Sequence, residues 1–173
     1  MRRSRYGKNF SPPQATCNES KCAHVPSAQW LALTHKSHDH GRRGFNDRLA
    51  YLGKRILDLQ TSLLLLNTAP LPTTTDPDIF THPSLYGLDN ITPFARAQIL
   101  SKTRVARLAY TYGIDKVVRW KPRKADRLEG SGIESVLAQA VYAIVGALAL
   151  QRGGEVAGRV ARERVLGPLG LKA

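Results

Sequence analysis

The side chains in this sequence best placed to do chemistry are cationic. Lys and Arg number 26 against 13 Asp and Glu, a formal net charge of +13 on 173 residues, with a pI near 10.3. The cations come in groups. Arg2, Arg3 and Arg5 lie near the start, Arg42 and Arg43 are adjacent, and Lys121, Arg123 and Lys124 follow directly on Trp120. Between Phe94 and Leu128, ten basic residues stand against two acids, Asp115 and Asp126. Guanidinium and ammonium groups at this density neutralise phosphates and release their counterions. The partners that suit such a chain are RNA, DNA or an anionic membrane surface. Arg2, Arg3, Arg5, Arg42, Arg43, Lys121, Arg123 and Lys124 are therefore the expected RNA contacts, on charge density and not on a motif. A merely solvated basic face is the plain alternative.

Metal and redox chemistry have weaker support. Cys17, Cys22 and His24 read C-x4-C-x-H, with His35, His38 and His40 further along. No second ligand pair stands at a recognised zinc spacing. Two cysteines this close do not make a disulfide framework, and they read as free thiols of a reducing compartment. Neither a metal nor a cofactor is expected. No run of 18 apolar residues is free of polar interruption, so no transmembrane helix is expected, and of the candidate partners the membrane is set aside.

The elements that must position these cations read as all-α. Residues 1–26 have no helical period and carry Pro12 and Pro13. They form an irregular basic arm, read as the remnant of an organelle transit signal, as an extension ordering on RNA phosphates, or as a solvated tail. Residues 27–36 predict a short helix, capped by Ser27 and contributing Trp30, Leu31 and Leu33. Gly41 and Gly44 break residues 38–45 into a loop. From Asn46, the apolar residues Leu49, Leu52, Ile56, Leu59, Leu63 and Leu66 recur in steps of three and four. That spacing predicts a long amphipathic helix, with Asn46 or Asp47 as its cap.

Residues 67–92 predict a proline-rich loop carrying Asp76, Asp78 and Asp89, facing protein or solvent. Thr92-Pro93 predicts the cap and first residue of a helix running to Gly113, with Phe94, Ala97, Val105, Leu108 and Tyr112 inward. Residues 121–132 form a basic loop. Residues 133–150 predict a core helix, apolar nearly all round, through Ile133, Val136, Leu137, Ala140, Val141, Ile144, Val145 and Leu148. Its small residues Ala143, Gly146 and Ala147 invite a neighbouring helix to approach closely. A last helix over 155–166 would turn Val156, Val160 and Ala161 inward and Arg159, Arg162 and Arg164 outward. The length suffices for one domain with a real core.

Three segments carry a resemblance. Thr34-His35-Lys36-Ser37, then Asn46-Asp47-Arg48-Leu49-Ala50-Tyr51-Leu52-Gly53-Lys54, resembles the signature of ribonuclease III domains, T-H-[RK]-S followed by N-E-R-L-E-F-L-G-D. The frame residues match at Thr34, His35, Ser37, Asn46, Arg48, Leu49, Leu52 and Gly53. The segment from Gly113-Ile114-Asp115 resembles the family's G-L-D-x-x-[IL]. With Gly146-Ala147 aligned, Gln139 to Leu150 falls on D-x-x-E-A-x-x-G-A-x-Y-L. The resemblance implies a single ribonuclease III-like helical domain over 27–169, behind the basic arm.

The resemblance also implies a metal site at the positions filled here by Asp47, Ala50, Lys54, Gln139 and Tyr142. Cutting RNA with Mg²⁺ requires oxygen ligands that converge on a hard cation. A methyl, an ammonium, an amide and a phenol do not replace carboxylates. An ammonium 4 Å from a dication would be repelled by roughly 8 kcal/mol at an effective dielectric of 20. The expectation is a degenerate domain with no catalytic residues and no metal, in which Lys54 partly fills the former cavity. Ribonuclease III domains pair through their signature helices. A degenerate single domain of this kind is similar to the ribonuclease III-like proteins of the mitochondrial large ribosomal subunit. That likeness implies a structural constituent of the mitochondrial ribosome, in the matrix. Its partners would be ribosomal RNA, another ribonuclease III-like ribosomal protein in a heterodimer, and neighbouring large-subunit proteins. The alternatives are an endoribonuclease for structured RNA, or half of a heterodimeric one, and a basic all-α adaptor with no RNA role.

Overall fold

The computed structural model describes residues 28–68, 82, 87–123 and 129–171. Among the described residues, six α-helices order the chain: α1 (Ala28–Ala32), α2 (Asp47–Asn67), α3 (Pro93–Ile99), α4 (Lys102–Thr111), α5 (Ile133–Arg152) and α6 (Gly154–Val160). The last continues as a π turn over Ala161–Leu166. Among the described residues the only extended pairing is one parallel bridge, Thr34 with Arg119. The all-α expectation holds. Arg2, Arg3, Arg5, Cys17, Cys22, His24, Ser27, Lys124 and most of the proline-rich loop lie outside the described residues.

The fold is built on the crossing of α2 and α5. A Cβ at Gly53 would stand 1.8 Å from the Tyr142 carbonyl oxygen, and one at Gly146 would stand 2.1 Å from that of Leu49. The two helices therefore meet backbone on backbone, which only glycine permits. Ala50, Ala143 and Ala147 are buried around the contact. Further along, α5 packs Leu137, Ala140 and Val141 with Leu57 of α2, Val105 and Leu108 of α4, and Val165 and Leu166 of the π turn. By length and composition α5 is apolar enough to cross a membrane, but here most of its apolar residues are buried in these protein contacts, although Ile144, expected inward, and Leu150 are 39% and 69% exposed.

Four further details depart from the sequence reading. In α2, the predicted stripe is not the buried face: Leu49 is buried, whereas Leu59 and Leu63 are 57% and 43% exposed. Ala50, Gly53, Leu57, Gln60, Thr61, Leu64 and Leu65 are buried instead. At 100° per residue this face lies roughly a third of a turn from the leucine stripe. The helix has two apolar faces, and the buried one is masked in sequence by glycine, glutamine and threonine.

The helix expected over 93–113 is two helices. Ser101 is extended at φ −60°, ψ 141°. The break resets the helical phase, so Phe94 is 72% exposed while Val105 is fully buried. The start does follow expectation: Pro93 is at the first turn and the Ala95 N–H donates to Thr92 Oγ1 at 3.0 Å.

Asn46 occupies the cap position of α2 but makes no cap hydrogen bond. Its amide instead donates to the Ala32 carbonyl at 3.0 Å, and its backbone N–H donates to the Thr34 carbonyl at 3.0 Å. It thereby ties the turn before α2 to the end of α1.

Arg162, expected outside, turns in and donates to Gln60 Oε1 at 2.6 Å. Gln60 is 9% exposed, so Arg162→Ala leaves a buried acceptor unpaired. Urea unfolding of this variant is expected to show a loss of about 1–3 kcal/mol. Arg159→Ala, at an exposed position of α6, is expected within about 0.5 kcal/mol of wild type.

Candidate functional site

Beside the α2–α5 crossing is a cavity of about 260 Å³. Asp47, Ala50, Lys54, Gln139 and Tyr142, the five positions singled out in the sequence, all line it, together with Tyr51, Lys102, Ser135 and Ala138. Helical spacing explains the convergence. Asp47, Ala50 and Lys54 lie three and four residues apart on α2, Gln139 and Tyr142 three apart on α5. Lys102 went unnoticed in the sequence because the break at Ser101, which brings the start of α4 to this rim, has no sequence signal.

The cavity's polar groups are turned to one another. The Gln139 amide donates to Asn46 Oδ1 at 3.1 Å and to the Asp47 carboxylate. The Tyr142 hydroxyl donates to the Leu100 carbonyl at 3.3 Å. Ser101 breaks the helix right after Leu100, and this phenol satisfies the carbonyl there. Burial, then the nearby Asp58 carboxylate, pushes the Tyr142 phenol above its ordinary value of 10.0, so it acts as a neutral donor. Lys54 and Lys102 are exposed at the rim. Lys54 thus borders the cavity rather than plugging it. Among the described residues the one ion pair is Arg43 with Asp39, at 3.4 Å on the surface.

A hard dication does not fit this donor set. Mg²⁺ takes several oxygen ligands, carboxylates foremost. Among the described residues Asp47 is the only carboxylate lining the cavity, its oxygen already accepts from Gln139, and two ammonium groups stand at the rim. Among the described residues no group of three His, Cys, Asp or Glu side chains assembles.

His35 lies close by. Its Nδ1 receives the Ser37 backbone N–H at 3.2 Å and meets Ser37 Oγ at 3.0 Å, which fixes Nδ1 as an acceptor and places the ring proton on Nε2. Burial lowers its pKa below 6.5 and Lys36 adds to this, while Asp47 and Gln139 oppose it. Protonation would also put an Nδ1–H against the Ser37 N–H. The folded state therefore binds fewer protons than the unfolded chain below pH 6.5. The stability held above that pH is lost as pH falls through it and on toward the folded-state pKa. The melting temperature is expected to drop between pH 7.5 and 5.5, with a smaller drop in His35→Gln.

The second concave region is basic. The His35 N–H donates to the Arg119 carbonyl at 3.0 Å, and the Arg119 N–H donates to that of Leu33 at 2.9 Å. The Lys121 N–H donates to Ser37 Oγ at 3.0 Å. These bonds strap the turn over residues 34–37 to the start of the basic loop. Two adjoining hollows of about 550 and 560 Å³ result, with Trp120 and Lys121 lining both. Arg43 and His40 line the first, Lys36 and Arg123 the second. Of the expected RNA contacts, Arg43, Lys121 and Arg123 thus come together. Arg42 is exposed beside them but lines neither hollow. Lys36 and His40 were not anticipated. Lys36 sits in a motif read only for its frame residues.

The comparisons with known proteins agree with this geometry. A family model described as Ribonuclease-III-like matches residues 26–169. Large ribosomal subunit protein mL57 of Neurospora crassa is 40% identical over 149 residues, 82% of this chain and 55% of that protein. The chain therefore spans just over half the length of that curated relative. A solved structure of the nuclease domain of ribonuclease III from Campylobacter jejuni superposes with a TM-score of 0.57 at 25% identity, over 80% of this chain and 84% of that one. A second structure of the same domain gives 0.59 at 24%, over 84% and 87%, and shows the likeness of fold.

Proposed function

Because the chain belongs to the Ribonuclease-III-like family, we propose that it serves that fold's structural use and not its catalytic one. It is a constituent of the mitochondrial large ribosomal subunit, in the matrix, that binds ribosomal RNA and a protein partner. The observation that carries this reading is the cavity of the α2–α5 crossing. It keeps the convergence of five side chains but presents a single engaged carboxylate among a methyl, an amide, a phenol and two ammonium groups. The metal-binding carboxylates of the family have been replaced, and RNA contacted there is held without being cut. The name of the Neurospora relative and the charge of +13 support the ribosomal setting.

The domain runs over 27–169 with the basic arm ahead of it. Phosphates are met by Arg43, Lys121 and Arg123 in the strapped cleft with Arg42 beside them, and by Lys124, Arg2, Arg3 and Arg5, which lie outside the described residues. The protein partner is another ribonuclease III-like ribosomal protein, paired along α2. Leu59 and Leu63 offer apolar surface for it, each adding roughly 0.6–1.7 kcal/mol when the half still exposed is buried.

Sedimentation of mitochondrial extracts in high salt tests the reading. The chain is expected to travel with the large ribosomal subunit. A free pool that carries RNA-processing activity would overturn it.

A further inference from the structure

We infer that the strapped basic cleft takes an unpaired nucleotide of RNA, with Trp120 as the platform for its base. The inference rests on the reading that this face meets RNA, and adds which form of RNA it meets. Two observations carry it. First, Trp120 is half-buried: it packs on the core on one side and lines both hollows on the other. Its indole is thus an aromatic surface held in place by the core and offered at the boundary between the two recesses. Second, cations stand on both sides of that boundary, Arg43 in one hollow, where it pairs with Asp39 at 3.4 Å, and Lys36 and Arg123 in the other, with Lys121 common to both.

This arrangement suits a strand passing over the indole. An RNA duplex keeps its bases stacked inside and shows a protein its phosphates and 2′-hydroxyls. A convex row of phosphates would meet the cations but gain nothing from a tryptophan set back between them. An unpaired base has a free π face that stacks on such a ring, while its flanking phosphates reach cations on either side. Each hollow is also large enough for a nucleotide-sized group. The backbone bonds that join the walls, from His35, Arg119 and Lys121, set the cleft before any ligand arrives.

The test uses the full chain carrying Trp30→Phe, so that Trp120 is the one tryptophan left. It is titrated with a short unpaired RNA and with a blunt duplex of the same sequence. The unpaired strand is expected to quench Trp120 emission and to bind more tightly than the duplex. Trp120→Leu, which keeps an apolar contact with the core, is expected to weaken the unpaired strand on the order of tenfold, and Trp120→Phe to restore most of that. Equal binding of both forms with unchanged emission, or wild-type affinity in Trp120→Leu, would overturn the inference. Were Lys121→Ala to weaken both RNAs alike while Trp120 stayed silent, the base platform would fall and the RNA face would stand. Were neither RNA bound by the folded chain, both would fall.

Discussion

Gly53→Ala is expected to destabilise the domain by about 3 kcal/mol or more, and Gly146→Ala by a similar amount. Overpacking a core with one methyl ordinarily costs about 1–3 kcal/mol, because side chains shift to make room. Here the obstacles are backbone atoms, the Tyr142 carbonyl 1.8 Å from the new Cβ and the Gly146 nitrogen 2.7 Å from it. No rotamer change relieves that, so α2 must move away from α5 as a whole. The opposing gain in helix propensity, roughly 1 kcal/mol for Gly to Ala, is too small to offset it. Separating the helices would also pull Asp47 from Gln139 and open the cavity. Gly154→Ala is the control, since nothing lies within 4 Å of a Cβ there, and it is expected to be neutral or slightly stabilising. Thermal and urea unfolding measure all three. A Gly53→Ala variant within about 0.5 kcal/mol of wild type would mean that the crossing is not as close as described.

Removing Lys121 and Arg123 together is expected to lower RNA affinity on the order of tenfold or more. Two phosphate contacts on a single strand correspond to a change of about 1.4 in the slope of log affinity against log salt. The double alanine variant should therefore bind less steeply with salt as well as more weakly. Because the Lys121 backbone N–H, not its ammonium, holds Ser37, the strap between the two segments survives the substitution. Unfolding curves should confirm that stability is unchanged. Arg159→Ala removes one positive charge, half as many, from α6, away from both hollows, and should leave the salt slope nearly intact. Equal losses at Arg159 and in the cleft would point to a diffuse field rather than a site.

A close helix approach on α5 was legible in the sequence for a local reason, and the five cavity positions only through the resemblance to ribonuclease III domains. Gly146 among alanines announces a close approach, and positions three and four apart on a helix must share a face. The all-α class followed from periodicity in the same way. What escaped was set by tertiary contacts. The leucine stripe of α2 has a correct period, but periodicity says only that a face is apolar, not which of two faces the core takes. Ser101 carries no breaker signal, and Phe94, Ala97 and Lys102 were misplaced or overlooked with it. Arg162 looked like any surface arginine until Gln60, 102 positions away, supplied a buried acceptor. The basic cleft was half legible. Lys121 and Arg123 stood out by density, while Lys36 joined them only through the Thr34–Arg119 bridge.

The most direct measurement incubates the purified chain, alone and with the proposed protein partner, with structured RNA in Mg²⁺ or Mn²⁺, and follows retention and fragmentation of the RNA together. The expected result is RNA retained and intact, with Asp47→Ala indistinguishable from wild type in both respects. Defined fragments that disappear in Asp47→Ala would contradict it and return the chain to the nucleases.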